Sequence, residues 1–201
     1  ELSDLFLEVG PDAPTLCGDW TTRDLLAHLL VRERRPDAAG GILIPLLAGR
    51  TAKVQRDIAG NDYEDSVKTF RNGPPIWSVW AIPVLGDRGN LAEFFVHHED
   101  VRRAQSAWQP RPDDATRDEA LWNLLRQMGR VLYRRSPVGV VLRSANRPDI
   151  VARKGEPAVT VVGNPGEVLL HAFGRGDDVT RVVVQGDATP IAQLAATPRG
   201  L

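Results

Sequence analysis

Apolar residues in the first half of the chain recur at helical spacing, and in the second half they gather into short β-branched runs. Leu2, Leu5, Phe6 and Val9 share one side of a helix over residues 1–9, which Gly10-Pro11-Asp12-Ala13-Pro14 ends. Thr21, with Asp24 three positions on, is a capping box carrying Asp in place of Glu, and it starts a helix over residues 22–35. Leu25, Leu26, Leu29 and Leu30 cover much of that helix, so it is expected to be well buried, with His28 among the leucines. Pro36 ends it, and the Ala- and Gly-rich residues 37–60 form one or two helices around Pro45. Asp62 opens a short helix to Arg71 with Val67 and Phe70 inward, broken by Asn72-Gly73-Pro74-Pro75. Trp77 and Trp80 follow in an irregular segment, where large aromatic rings are expected to fill the core or line a pocket. Gly86-Asp87-Arg88-Gly89 reads as a loop, with Asn90 capping a helix that runs to about Ser106.

Trp108-Gln109-Pro110-Arg111-Pro112-Asp113-Asp114 reads as a linker. A long helix is predicted over residues 116–135, with Ala120, Leu121, Leu124, Leu125, Met128, Val131 and Leu132 at core spacing. Strands are predicted at Val138 to Leu142, Ile150 to Arg153, Ala158 to Val162 and Thr180 to Gln185. Helices are predicted at Pro165 to Phe173 and at Pro190 to Ala196. The expected class is therefore α+β, with a helical first half, residues 1–108, and a small α+β domain over residues 114–201.

With 201 residues, 42% of them hydrophobic, the chain can build one good core or two small ones. A net charge of −1 gives no reason to expect a nucleic-acid partner or an anionic membrane surface. No apolar run approaches the ~20 residues of a membrane helix, and the acidic start Glu1-Leu2-Ser3-Asp4 is unlike a signal peptide. The single cysteine, Cys17, has no partner for an internal disulfide; a reducing cytoplasm fits, and the residue reads as a small buried hydrophobe. There is no internal repeat, P-loop or Gly-x-Gly-x-x-Gly motif.

The candidate chemistry lies in Asn90-Leu91-Ala92-Glu93-Phe94-Phe95-Val96-His97-His98-Glu99-Asp100. Glu93 and His97, four apart, leave one helix face about a turn apart, and oxygen and nitrogen donors so placed converge on a point where one divalent cation fits. The same spacing also makes an ordinary helix-surface pair. Asp100 shares the face, either orienting a ligand imidazole or pairing with Arg103. His28 is either a third ligand or a hydrogen-bonded core histidine. His98 points about 100° away from His97 and is read as a surface or substrate-facing group.

Three stretches then stand in order: Trp20-Thr21-Thr22-Arg23-Asp24-Leu25-Leu26-Ala27-His28-Leu29, then Glu93-x-x-x-His97-x-x-Asp100, then Gly174-Arg175 followed by Val182-Val183-Val184-Gln185-Gly186-Asp187. Together they resemble the mycothiol-dependent maleylpyruvate isomerase-like family of actinobacteria, related to the DinB metalloproteins, and the likeness covers nearly the whole chain. The resemblance implies a DinB-like four-helix bundle over residues 1–108 followed by the small α+β domain. It implies a divalent metal, zinc first and nickel second, held by His28, Glu93 and His97, with mycothiol as thiol cosubstrate. Asp100 and Arg175 are the implied catalytic residues, Arg175 as anion clamp for a carboxylate of substrate or thiol; the alternative for Arg175 is a surface residue at a helix end. At His98-Glu99 the chain departs from the family, which often has Arg or Gly and then Trp. The implied function is a thiol transferase or isomerase acting on a small electrophile, in a cytoplasmic monomer or homodimer. The alternatives are a hydrolase using metal-bound water and a metal- or ligand-binding module without catalysis.

Overall fold

The structure, a computed structural model, describes every residue except Leu43, Ile82 and Leu201, and gives only the backbone for Ile42, Pro45, Val79 and residues 83–89. The chain divides between Pro110 and Arg111 into two compact units. That division falls inside the segment read as a linker.

The first unit is helical: α1 (Leu2–Val9), α2 (Thr22–Arg34), the short α3 (Pro36–Ala39), α4 (Ala48–Ala59), α5 (Tyr63–Arg71) and α6 (Pro83–Arg103). Thr21 caps α2 from an extended conformation. Its side chain accepts from the Asp24 backbone N–H, and Asp24 Oδ2 accepts from the Thr21 N–H at 3.0 Å. Two otherwise orphaned N–H groups are satisfied reciprocally. Thr21→Ala is therefore expected to destabilise the first unit by about 1 kcal/mol, read as a lower urea midpoint at unchanged slope; an unchanged midpoint would exclude the cap as a source of stability. The leucines of α2 meet Leu2 and Phe6 of α1, Tyr63, Val67 and Phe70 of α5 and Val101 of α6 in one core. Phe70 anchors its aromatic part, edge-on to Phe6 at 6.1 Å and to Phe94 at 5.7 Å between centroids.

Three expectations for this unit need correction. Gly86 to Gly89 are not a loop, because α6 already starts at Pro83. Proline suits a first helical turn, and a glycine inside a helix costs only about 1 kcal/mol, which neighbouring turns can absorb. Asn90 is consequently inside the helix and caps nothing. Trp77 is 60% exposed, so it is not core filling, whereas Trp80 is half-buried.

In the second unit α7 (Ala115–Leu132) is capped by Asp114, whose side chain accepts from the Arg117 N–H at 3.0 Å. The strands β1 (Gly139–Arg143), β2 (Ile150–Arg153), β3 (Ala158–Val162) and β4 (Val183–Gln185) form one sheet in the order β2-β1-β3-β4. The β1–β3 pair is parallel and the outer two pairs are antiparallel. Val140, Leu142, Ile150, Ala152, Val159 and Val161 are buried while Val151 and Arg153 are exposed, the alternation of a sheet covered on one face. α7 covers that face and packs in turn against α8 (Pro165–Ala172), and α9 (Ala188–Ala195) completes the unit. Gly129 lets α7 approach closely: a Cβ there would already touch Ala152 Cβ at 3.4 Å. Two readings shift here. Val131 is 47% exposed and lies off the core face of α7. The last strand begins at Val183 rather than Thr180, because its partner β3 ends at Val162, opposite Val183, and leaves nothing for residues 180–182 to pair with.

The class is α+β, and no helix among the described residues is long and apolar enough to cross a membrane.

Candidate metal centre

Two helices of the first unit bring the candidate ligands together. On α6, Asn90, Glu93, His97 and Asp100 follow one another at intervals of three or four and so line one face. On α2, His28 and Arg32 do the same. His28 Nε2 stands 3.3 Å from Glu93 Oε1, and His97 Nε2 stands 3.2 Å from the same oxygen. The imidazoles lie edge to face, 5.5 Å between centroids, and Trp20 packs on His28 at 5.2 Å. The three side chains are between 11% and 20% exposed, buried enough to need partners and open enough to be reached.

These separations suit a cation. With bonds of about 2.0–2.1 Å, nitrogen and oxygen donors at the corners of a tetrahedron stand roughly 3.3 Å apart. All three donor atoms lie within 4.8 Å of one another. Two imidazoles and one carboxylate are also a chemically suitable set for zinc or nickel, with a fourth position left over.

Asp100 occupies the other side of His97. Its Oδ2 is 2.9 Å from His97 Nδ1, and the residue is fully buried. A carboxylate on Nδ1 fixes the tautomer and presents the Nε2 lone pair to the donor cluster, which is the arrangement the first of its two readings needs. Arg103 donates to Glu99 Oε2 at 2.7 Å; Glu99 is itself buried and also accepts from Arg102 at 2.6 Å. Cys17 needs more than the hydrophobic reading. It packs against the core, but its Sγ donates to Asp100 Oδ2 at 3.1 Å and lies 3.7 Å from His97 Nδ1.

The charges reinforce one another. Burial opposes charge on Glu93, but hydrogen bonds from His28 and His97 and the nearby charges of His97 and Arg32 outweigh it, holding the carboxyl well below the usual range. Burial likewise opposes charge on His97, and hydrogen bonds with Asp100, Cys17 and Glu93 overcome it, raising its pKa well above the ordinary histidine value. A cation entering this cluster would take the place of that proton.

Comparison with protein-family models, with curated proteins and with solved structures gives no match.

Sequence reasoning missed Arg32 beside the cluster and read Asn90 only as a cap. Arg32, 6% exposed, places Nε 3.7 Å from Glu93 Oε2 and donates from Nη1 to Asn90 Oδ1 at 2.8 Å. Its guanidinium lies 3.5 Å from the Trp80 ring centroid. The available signal was spacing: Arg32 is one turn after His28, and Asn90 one turn before Glu93. Arg175 belongs to the second unit, where it follows Gly174 at the end of α8 and donates from Nη1 to the Phe173 carbonyl at 2.8 Å. His98 is half-buried and belongs to neither of the two donor groups found among the described residues.

Proposed function

We propose that the first unit, read as a DinB-like four-helix bundle, binds one divalent cation, zinc before nickel, through His28 Nε2, Glu93 Oε1 and His97 Nε2. We propose further that the protein is a transferase or isomerase using a low-molecular-weight thiol such as mycothiol on a small electrophile. The observation that carries the metal assignment is the convergence of two imidazole nitrogens, at 3.3 and 3.2 Å, on one oxygen of Glu93, backed by a buried carboxylate on the far nitrogen of His97. When bound, the metal would supply a positive centre at which a coordinating thiol is deprotonated at neutral pH. The protein's residues prepare that position. Asp100 holds the His97 ring and its tautomer, Trp20 packs against His28, and Glu93 supplies the negative charge that a dication needs. Cys17 is directed at Asp100, so the nucleophile in this reading comes from the cosubstrate. The thiol assignment rests on the motif resemblance, the metal assignment on the geometry.

The test is elemental analysis of protein purified without an affinity tag, beside the His28→Ala variant. The expected result is about one zinc or nickel per chain in the first and a small fraction of that in the second, as for a site built on three protein ligands. Mycothiol should then bind the metal-loaded protein and not the metal-free protein. Absence of metal from the unsubstituted protein after reconstitution at neutral pH would reduce the three residues to a hydrogen-bonded core cluster. Metal without thiol binding would favour the hydrolase or the non-catalytic module.

A further inference from the structure

Arg32 is a buried cation with an unusually complete set of restraints. A buried guanidinium is costly unless it is paired and hydrogen-bonded. Here its face rests on Trp80 at 3.5 Å, its Nη1 donates to Asn90 Oδ1 at 2.8 Å, and its Nε faces Glu93 Oε2 at 3.7 Å. Asn90 is tied in turn to the Trp80 carbonyl, through Nδ2 at 3.5 Å. The planar group cannot turn without losing its ring contact or its amide partner, so its position is set by the two helices that carry the metal donors and by the segment before α6 that carries Trp80.

The two oxygens of Glu93 thereby have different partners. Oε1 faces both imidazoles, at 3.3 and 3.2 Å, and Oε2 faces the cation of Arg32. A carboxylate ligand can offer one oxygen or chelate with both, and chelation fills a coordination position that a cosubstrate would otherwise take. We infer that Arg32 is a positioning residue: clamped by Trp80 and Asn90, it retains Oε2 and restricts Glu93 to a single ligand oxygen, which keeps a position open for an anionic small molecule. The inference rests on the metal reading. It also narrows the ligand class, because a dication and Arg32 flanking one carboxylate favour an anion, such as a thiolate or carboxylate, at the remaining position.

The experiment uses the 201-residue chain loaded with cobalt(II), whose visible absorption is several-fold stronger in four-coordinate than in five- or six-coordinate sites. Arg32→Met removes the charge at similar length, and Arg32→Lys keeps the charge without the fork. Asn90→Ser removes the amide partner while leaving Arg32 in place. Expected is an intense cobalt spectrum in the unsubstituted protein, a several-fold weaker one at full occupancy in Arg32→Met, and partial recovery in Arg32→Lys. Thiocyanate, as an anionic probe, should change the spectrum of the unsubstituted protein at a concentration at least several-fold lower than in Arg32→Met. An Arg32→Met spectrum and thiocyanate response equal to those of the unsubstituted protein would overturn the inference while leaving the metal site standing. Failure of the unsubstituted protein to bind cobalt would overturn both. If Arg32→Met fails to fold, Asn90→Ser decides: a weakened spectrum supports the clamp, and an unchanged one overturns it.

Discussion

Replacing His97 by alanine is expected to abolish metal binding while the first unit keeps its helix content. The ring is the centre of the cluster, with Nε2 at 3.2 Å from Glu93 Oε1 and Nδ1 at 2.9 Å from Asp100 Oδ2. Its removal deletes a proposed ligand and also releases the buried Asp100 from its imidazole partner. Asp100→Ala is the graded control. It leaves all three donors but frees the ring, and the loss of such an outer partner costs about 10–100-fold in metal affinity. His97→Ala should lose more than that. Folding should survive because the core of the unit is made by Leu25, Leu26, Leu29, Phe6, Phe70 and their neighbours, and His97 is not part of it. Competition against a chromophoric chelator gives the affinities, and far-ultraviolet circular dichroism the helix content. Retention of the full metal complement by His97→Ala would sink the assignment.

The second large effect is expected in the other unit and concerns acid. His171, on α8, is 2% exposed, and Tyr133 Oη lies 2.7 Å from its Nδ1. Burial pushes the Tyr133 phenol well above its usual pKa, so the phenol keeps its proton. Burial, assisted by the charge of Arg199, lowers the His171 pKa to about 3. The unfolded histidine titrates near 6.5. Between these values the unfolded chain binds a proton that the folded chain refuses, so stability is complete above about pH 6.5 and falls as the pH drops. The slope is about 1.4 kcal/mol per pH unit, or roughly 2 kcal/mol between pH 6.5 and 5, before most carboxylates contribute. Two measurements check this. The His171 ring signal in NMR should show the neutral form down to pH 4, and hydrogen exchange of α8 amides, corrected for intrinsic rate, should speed up across that interval. A ring that titrates near pH 6 in the folded chain would overturn the prediction.

Legibility differed with the range of the interaction that decides each feature. The α2 cap, the spacing of Glu93, His97 and Asp100, and the helical and β-branched halves are local patterns, readable within a few residues. The start of α6 was misread because two glycines within four residues look like a loop, whereas the backbone ladder of a long helix carries through them. Arg32 and Cys17 escaped for another reason. Arg32 meets Asn90 across 58 positions, and Cys17 meets Asp100 across 83. Spacing puts Arg32 one turn after His28 but does not name its partners, and nothing in the local sequence around Cys17 marks it as part of a site. Trp77 and Trp80 look alike as a pair in one irregular segment, yet one is largely exposed and the other carries a guanidinium on its face.

The sequence by itself determined the α+β class, the helical face on which Glu93, His97 and Asp100 stand in line, and His28 as a candidate from the other helix. Periodicity and capping are short-range properties of the chain, so they survive without knowledge of the fold. Only the tertiary structure decided that His28 Nε2 and His97 Nε2 share one oxygen of Glu93, that Asp100 backs the ring through Nδ1, and that Arg32 takes the other oxygen. Those contacts depend on how α2 and α6 pack, and that packing follows from the apolar contacts of the whole unit, to which Trp20 and Cys17 also belong.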